Sequence, residues 1–265
     1  MKSFLTSVAV LLSISTFALP LHAQASVESA PNNTALEQSA RVQPVSGAYE
    51  RLASVLSPAE MEAVSFDIVI EQLRENYAKN EDFQALETVC PGSIDAVLQG
   101  GDELLRTYHA AEGKALRAAL GEYFRANLSE EHANLAADFY GSVDGQKIIR
   151  SINENFTLSE SLTDLSDKLE TTDDPDAVQL DAQSFRRDEK ETVKKATQSL
   201  TALERVEITR TLLGKEWFRA VQNISPGMNE VRFRVANSEL IPGFQPRLNT
   251  AFENALAVHL ENCDL

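Results

Sequence analysis

The chain has 265 residues and a formal net charge of −16 at pH 7, with 40 acidic and 24 basic side chains. Its length is sufficient for one domain with a substantial hydrophobic core. A surface this acidic repels nucleic acid and anionic lipid headgroups, so a nucleic-acid-binding role is disfavoured.

The first 25 residues have the order of parts of a secretory signal peptide. Lys2 precedes an apolar run that starts at Phe4 and ends at Pro20, and residues 23–25 form a small-x-small cleavage site. A membrane anchor is the alternative, but this run is short and broken, since a bilayer span needs about 20 apolar residues. We therefore expect cleavage before Ser26, export to the periplasm or beyond, and no transmembrane segment in the mature chain.

Residues 26–46 show no hydrophobic period and are rich in Ser, Ala, Pro, Asn and Gln, which predicts a flexible leader. A helical domain is expected over residues 47–265. Ser57 and Pro58 are followed by Glu60, a pattern that predicts a helix with Ser57 as its N-cap. Apolar residues then follow on two stripes at helical spacing, so this helix is expected to be buried on more than one side.

Breaks and caps divide the next stretch into further helices. Residues 90–93 (Cys-Pro-Gly-Ser) interrupt the pattern. The pair Gly100 and Gly101 predicts a kink or a split in the following helix, because each glycine costs about 1 kcal/mol in a helix. Ser129 is expected to cap the next helix, which turns Leu135 toward the core.

The second half of the chain has weaker signals. Residues 157–160 and 201–204 each have the spacing of a capping box. Residues 170–182 are acidic and broken by Pro175, which makes them a candidate internal linker. Residues 231–235, after Pro226 and Gly227, alternate like a strand but are isolated, so we expect helix or loop there.

Helical periodicity throughout predicts an all-α fold, a multi-helix bundle of amphipathic helices. Residues 127–152 and 199–224 share their length, a Leu-Ser/Thr start and a closing Ile. Two interpretations stay open at this point: a duplication that produced two related helical halves, or two ordinary amphipathic helix pairs.

Cys90 and Cys263 make an even cysteine count, which in an oxidising compartment suggests a disulfide. The bridge would close a loop of about 170 residues. By lowering the entropy of the unfolded chain, it would stabilise the folded protein by about 4–5 kcal/mol. The spacing of the last helix places Cys263 on its apolar stripe, which favours the bridge over two separate buried thiols. A redox role is disfavoured because the chain has no Cys-x-x-Cys.

Sequence motifs for catalysis or cofactor binding were looked for and not found, so the chain is expected to have no catalytic residues and no cofactor. The histidines of the mature chain, His109, His132 and His259, are interpreted as structural, and no metal site is expected. Carboxylates that could suggest acid–base chemistry are better explained as first-turn charges and helix caps. These carboxylates are Glu130, Glu131, Asp138 and Asp144.

One stretch carries a family resemblance. Within residues 128–147, Phe139, Tyr140, Ser142, Gly145 and Lys147 follow the pattern F-Y-x-S-x-x-G-x-K, which is the matching part of E-x3–4-L-x-x-F-Y-x-S-x-x-G-x-K. This pattern resembles the signature of a family of exported bacterial helical domains, the domain-of-unknown-function family 2059 (DUF2059). The resemblance lies mainly within residues 128–152. It implies a helical periplasmic or secreted protein and supplies no activity and no catalytic residues.

The same residues predict a helix corner. Phe139 and Tyr140 would anchor the first helix, Gly141 would end it in the left-handed conformation, and Ser142 would cap the second. The corner is sufficient to explain the pattern. If it also forms a binding site, the candidates are Tyr140, Ser142 and Lys147.

Three functions remain under consideration. The favoured one is a non-enzymatic exported protein that binds an envelope partner, which the sequence does not identify. The first alternative is a carrier of a small apolar ligand in the bundle core, which needs an apolar cavity. The second is an envelope hydrolase, which needs two converging carboxylates with shifted pKa values in a cleft.

Overall fold

The computed structural model describes residues 47–171 and 178–263, without the side chains of residues 169 and 170. The predicted signal peptide (1–25), the predicted leader (26–46) and residues 172–177 of the candidate linker lie outside these residues. Within the described ranges the regular secondary structure is helical and no strand is formed, which confirms the all-α prediction.

Most of the helices are joined by short connections, and a 3-10 turn (Ala59–Met61) precedes the second helix. They are α1 (Gly47–Leu56), α2 (Glu62–Tyr77), α3 (Glu81–Val89), α4 (Ser93–Asn127), α5 (Glu130–Tyr140), α6 (Val143–Glu154), α7 (Ser159–Thr171), α8 (Ala182–Ser199), α9 (Ala202–Leu212), α10 (Glu216–Ala236) and α11 (Phe244–Glu261).

Helix α4 is the centre of the bundle. It has 35 residues and is therefore about 52 Å long, and α1, α2, α10 and α11 pack along it. The kink or split predicted at Gly100 and Gly101 is wrong, because α4 is continuous through both. A Cβ on Gly100 would overlap Ala255, and one on Gly101 would overlap Phe252. The two glycines thus let α11 approach α4 closely.

Two predicted helix starts are wrong. Ser57 does not cap α2, because its backbone N–H continues α1 by donating to Ala53 O at 3.0 Å, and no side-chain cap is found at the start of the 3-10 turn. At α7 the capping box of residues 157–160 is replaced by Asp188 of α8. A carboxylate from another helix is a partner that local spacing cannot reveal.

The other predicted caps are confirmed. The hydroxyl of Ser129 accepts from His132 N at 3.1 Å and that of Ser142 from Gly145 N at 3.3 Å. Thr201 and Glu204 form the complete capping box of α9. Each cap satisfies a backbone N–H that has no partner within its own helix.

The carboxyl-terminal helices differ from the sequence patterns. Residues 226 and 227 do not interrupt α10, and residues 231–235 are helical within it. Tyr123 of α4 supports the proline-containing turn, since its hydroxyl donates to Ile224 O at 3.0 Å and its ring fills the space beside Gly227. The strand-like alternation of residues 231–235 therefore belongs to a helix, in which Val231 and Val235 are buried and Phe233 is partly buried on another side.

Two details of the predicted helix corner are also corrected. Gly141 ends α5 with φ −81°, in the right-handed region, because α6 begins only two residues later and leaves no room for a left-handed residue. Leu135 is 42% exposed and does not face the core.

The bundle has one continuous hydrophobic core in its described residues, with α7 and α8 closing the side of α6. No helix in the described residues has the length and apolar character required to cross a bilayer. The proposed relation between two helical halves stays a prediction.

Candidate functional site

The predicted binding residues lie at the corner between α5 and α6. Tyr140 is buried and meets the ring of Trp217 edge-on at a centroid distance of 6.4 Å, and burial raises the pKa of its hydroxyl. Ser142 uses its hydroxyl within the corner, since it donates to Phe139 O at 2.6 Å and accepts from Gly145 N. Both side chains hold the corner together, and their role in binding stays a prediction.

Lys147 points away from the other two candidates toward α9. Its Nζ lies 3.6 Å from Asp144 and 3.5 Å from Glu204. Hydrogen bonds from Thr201 and the charge of Lys147 lower the pKa of Glu204. Of the three predicted residues, Lys147 is therefore the one that contacts α9, but none of the three lines the cleft described next.

An apolar cleft opens where α6, α8 and α9 meet. It encloses about 110 Å³. Its walls come from one face of each helix: Ile148, Ser151 and Ile152 of α6; Val193, Ala196 and Thr197 of α8, with Leu200 just after it; and Arg205, Ile208 and Thr209 of α9.

The polar groups in the cleft walls are already engaged within the protein. The Ser151 hydroxyl donates to Ala196 O at 2.8 Å and lies 2.6 Å from the Ser199 hydroxyl. Arg205 donates to the carbonyls of Thr197 and Leu200, at 3.1 and 2.6 Å, and so caps the end of α8. The cleft therefore offers an occupant mainly apolar contact.

Helix α9 also has apolar side chains on the outer surface of the protein. Of the residues within this helix, only Ile208 and Leu212 are buried. Leu203 and Val206 are 68% and 55% exposed, and Leu213, just after the helix, is 77% exposed. Large aliphatic side chains scattered singly on a surface need no explanation, but these three, on α9 and just after it, form an exposed apolar surface beside the cleft. We call these three residues the α9 stripe.

A buried polar cluster lies far from this cleft, between α2 and α4. His109 and Glu112 are 2% and 1% exposed, and their closest ring nitrogen and carboxylate oxygen lie 3.7 Å apart. Neither carboxylate oxygen of Glu112 has a hydrogen-bond partner among the described residues. Burial raises the pKa of Glu112 to about 7, and the imidazole of His109 opposes this rise.

Ser65 completes an arrangement that looks like a nucleophilic triad, with its hydroxyl 3.2 Å from His109 Nε2. The hydrogen bonds contradict that role. A carbonyl oxygen only accepts, so His109 Nε2 carries a hydrogen and donates to Glu62 O at 3.0 Å. Ser65 donates its single hydrogen to backbone carbonyls at 3.1 Å. The histidine therefore cannot take a proton from the serine as a general base does.

Two other buried carboxylates, Asp188 and Glu189 of α8, also have raised pKa values. They are adjacent in sequence but contact different partners. Asp188 accepts from the backbone N–H groups of Glu160 and Ser161, at 2.9 and 2.8 Å. Glu189 pairs with the buried Arg232 of α10 at 3.3 Å. Burial raises the pKa of both carboxyls, and their hydrogen-bonding or charged partners oppose it. Both arrangements join helices, α7 to α8 through Asp188 and α8 to α10 through Glu189.

Cys90 and Cys263 form the predicted disulfide, with a Cα–Cα distance of 5.8 Å. His259 lies beside it, and one ring nitrogen and the two sulfurs all lie within 4.8 Å of one another. The sequence interpretation overlooked this group, although His259 and Cys263 are four residues apart, at and just after the end of α11. The predicted disulfide would also have brought Cys90, 169 residues from His259, to the same place.

Comparison with known proteins gives no match: no family model fits the sequence, and no curated protein or solved structure is significantly similar to the chain. The resemblance to DUF2059 therefore stays a prediction, and the functional argument depends on the surface of this chain alone.

Proposed function

We propose that this chain is an exported, non-enzymatic helical protein of a bacterial envelope, and that it binds a protein partner through the cleft between α6, α8 and α9. The observation that carries the proposal is this apolar cleft opening beside the α9 stripe. Export is supported by the signal-peptide pattern and by the Cys90–Cys263 disulfide, which an oxidising compartment favours.

The size of the cleft favours a protein side chain as its occupant. Sites for drug-sized ligands usually have about 300–1,000 Å³, whereas a cavity of about 150 Å³ holds benzene. At about 110 Å³ the cleft accepts one leucine or a similar side chain. A carrier of a drug-sized ligand would need a larger volume than this cleft provides.

The arrangement of side chains around the cleft matches a common form of protein interface. A buried anchor side chain fills a pocket, and surrounding contacts exclude water from it. The α9 stripe would supply such surrounding contact. Arg210 and Lys215 lie beside Leu213 and form no ion pair among the described residues, so the partner segment is expected to carry acidic residues next to its anchor.

A binding experiment with a leucine side-chain mimic tests this proposal. The purified protein would be titrated with N-acetyl-leucine methyl ester while the methyl signals of isoleucines are followed by NMR. We expect saturable shifts confined to Ile148, Ile152 and Ile208. Thr209→Trp would close the mouth of the cleft and weaken binding at least roughly tenfold, which is about 1.4 kcal/mol.

Thr211→Trp is the matched control, because Thr211 is exposed on the same helix but does not line the cleft. It should bind the mimic like the unchanged protein. Equal binding by both variants would contradict the proposed site. Tight one-to-one binding of a long-chain fatty acid at the same isoleucines would instead favour a carrier.

A further inference from the structure

We propose that, when the Cys90–Cys263 disulfide is reduced, Cys90, Cys263 and His259 form a three-ligand site for a thiophilic metal ion such as Zn²⁺. The three donor atoms lie within 4.8 Å of one another. The two sulfurs are bonded to each other in the disulfide, so after reduction they would have to separate to about 3.8 Å to bind Zn²⁺ at about 2.3 Å each in tetrahedral geometry. Two thiolates and an imidazole are a donor set that Zn²⁺ prefers over hard cations.

The backbone that presents Cys90 is held independently of the disulfide bond. The carboxylate of Glu87 accepts from Gly92 N at 2.8 Å and from Ile94 N at 2.7 Å. Ser93 Oγ donates to Cys90 O at 2.7 Å. These bonds fix the turn between α3 and α4, so reduction leaves Cys90 in place.

The backbone that presents the other two ligands is held by the packing of α11 on α4. Gly100 and Gly101 permit this close approach. His259 Nε2 donates to Pro91 O at 3.2 Å, which ties the end of α11 to the turn after Cys90. Because Nε2 carries the hydrogen of this bond, Nδ1 is the ring nitrogen that would bind the ion, and the carbonyl orients the ring as such partners usually do.

The site is accessible and has an open position. Cys90 is buried, whereas His259 and Cys263 are partly exposed, so an ion can enter from their side. Three protein ligands leave the fourth tetrahedral position for water or an external ligand, as in sites where zinc binds exogenous molecules.

The ion and the disulfide exclude each other. A phosphine reductant opens the S–S bond and becomes the phosphine oxide with an oxygen from water, and Zn²⁺ then displaces the two thiol protons. In the reverse direction a low-molecular-weight disulfide takes two electrons from the two protein thiolates and becomes two thiolates. The protein S–S bond forms and Zn²⁺ leaves.

Metal titration of the reduced protein tests the proposal. The purified chain, reduced anaerobically with a phosphine, would be titrated with Zn²⁺ against a chromophoric chelator and, separately, with Co²⁺. We expect one ion per chain, thiolate-to-Co²⁺ charge-transfer absorption, and no binding by the oxidised protein. His259→Ala should weaken Zn²⁺ binding at least about tenfold, since loss even of an outer-shell partner costs about 10–100-fold.

His132→Ala is the control, because His132 is partly exposed on α5 and takes no part in the site; it should bind Zn²⁺ like the unchanged protein. Three results would overturn the proposal: no stoichiometric ion in the reduced protein, equal affinity of the His259→Ala and His132→Ala variants, or loss of the helical circular dichroism signal on reduction.

Discussion

Gly100 on α4 lies directly against Ala255 on α11, so close that a Cβ added to the glycine would overlap the Cβ of the alanine. This contact explains why a glycine is used inside a continuous helix of 35 residues. The conformational cost of the glycine is offset by the packing of the carboxyl-terminal helix, which also carries His259 and leads to Cys263.

Gly100→Ala is therefore expected to destabilise the protein by about 1–3 kcal/mol, the usual cost of overpacking a core. The added methyl also approaches Ala251 O, at 3.1 Å, where the backbone cannot move aside easily. Gly121→Ala on the same helix is the control, because its Cβ would meet only Glu50 Oε1 at 3.9 Å. It should stabilise by up to about 1 kcal/mol through helix propensity. Urea unfolding measures both, and two changes of the same sign would contradict this account.

Glu112 is expected to make stability depend on pH. Its pKa is raised to about 7 in the folded protein from an ordinary 4.5, so its contribution is fully present below pH 4.5 and is lost as the pH rises through 7. The free energy of unfolding should fall by up to about 3 kcal/mol across this range. Glu112→Gln should remove most of this slope in urea unfolding at a series of pH values.

Glu103→Gln serves as the control for Glu112, since Glu103 is exposed on the same helix. It should leave the pH dependence as in the unchanged protein. If Glu112→Gln and Glu103→Gln gave the same slope, the buried carboxyl would not be its source.

Asp188→Ala is expected to destabilise the start of α7 by about 2–4 kcal/mol, because one buried and one part-buried N–H group lose their acceptor at once. Amide hydrogen exchange should accelerate most at Glu160 and Ser161. Asp181→Ala removes the partly exposed N-cap of α8 and should cost about 0.5–2 kcal/mol. Unchanged exchange at Glu160 and Ser161 in the Asp188 variant would refute the capping role.

The two ion pairs that join α8 and α10 provide a test of burial. Glu189 and Arg232 are 6% and 3% exposed, whereas Arg186 and Glu230 are both 61% exposed. Removing one partner of a buried pair typically costs about 3–5 kcal/mol, and an exposed pair contributes at most about 1 kcal/mol. Arg232→Met should therefore be far more destabilising than Arg186→Met in thermal or urea unfolding. Equal effects would mean that Glu189 is hydrated in solution.

Local features of the fold could be predicted because their partners are close in sequence. The caps at Ser129, Ser142 and Thr201 each join atoms three residues apart. The break predicted at Gly100 was wrong because the contact with the distant Ala255 could not be foreseen, and the helix at Pro226 continues beside the distant Tyr123. Sequence spacing contains no information about such tertiary support.

The candidate site was predicted less well for the same reason. Tyr140 and Ser142 stand out in the sequence because they build a tight corner, whereas the cleft arises only where α6, α8 and α9 meet. Lys147 contacts α9 through Glu204 but does not line the cleft. In the sequence, Leu203 and Leu213 resemble ordinary apolar residues of a helix. In the structure both are exposed, and no described residue covers them.

Site-specific photocrosslinking in a bacterial envelope tests the proposed function most directly. A photoreactive amino acid would replace Thr209, at the mouth of the cleft, or Thr211, exposed on the same helix outside it. The account predicts a discrete adduct with one envelope protein from position 209, weaker or absent from position 211, with the crosslink mapping to an aliphatic residue next to acidic residues. Equal adducts from both positions, or none from position 209, would contradict a binding site in this cleft.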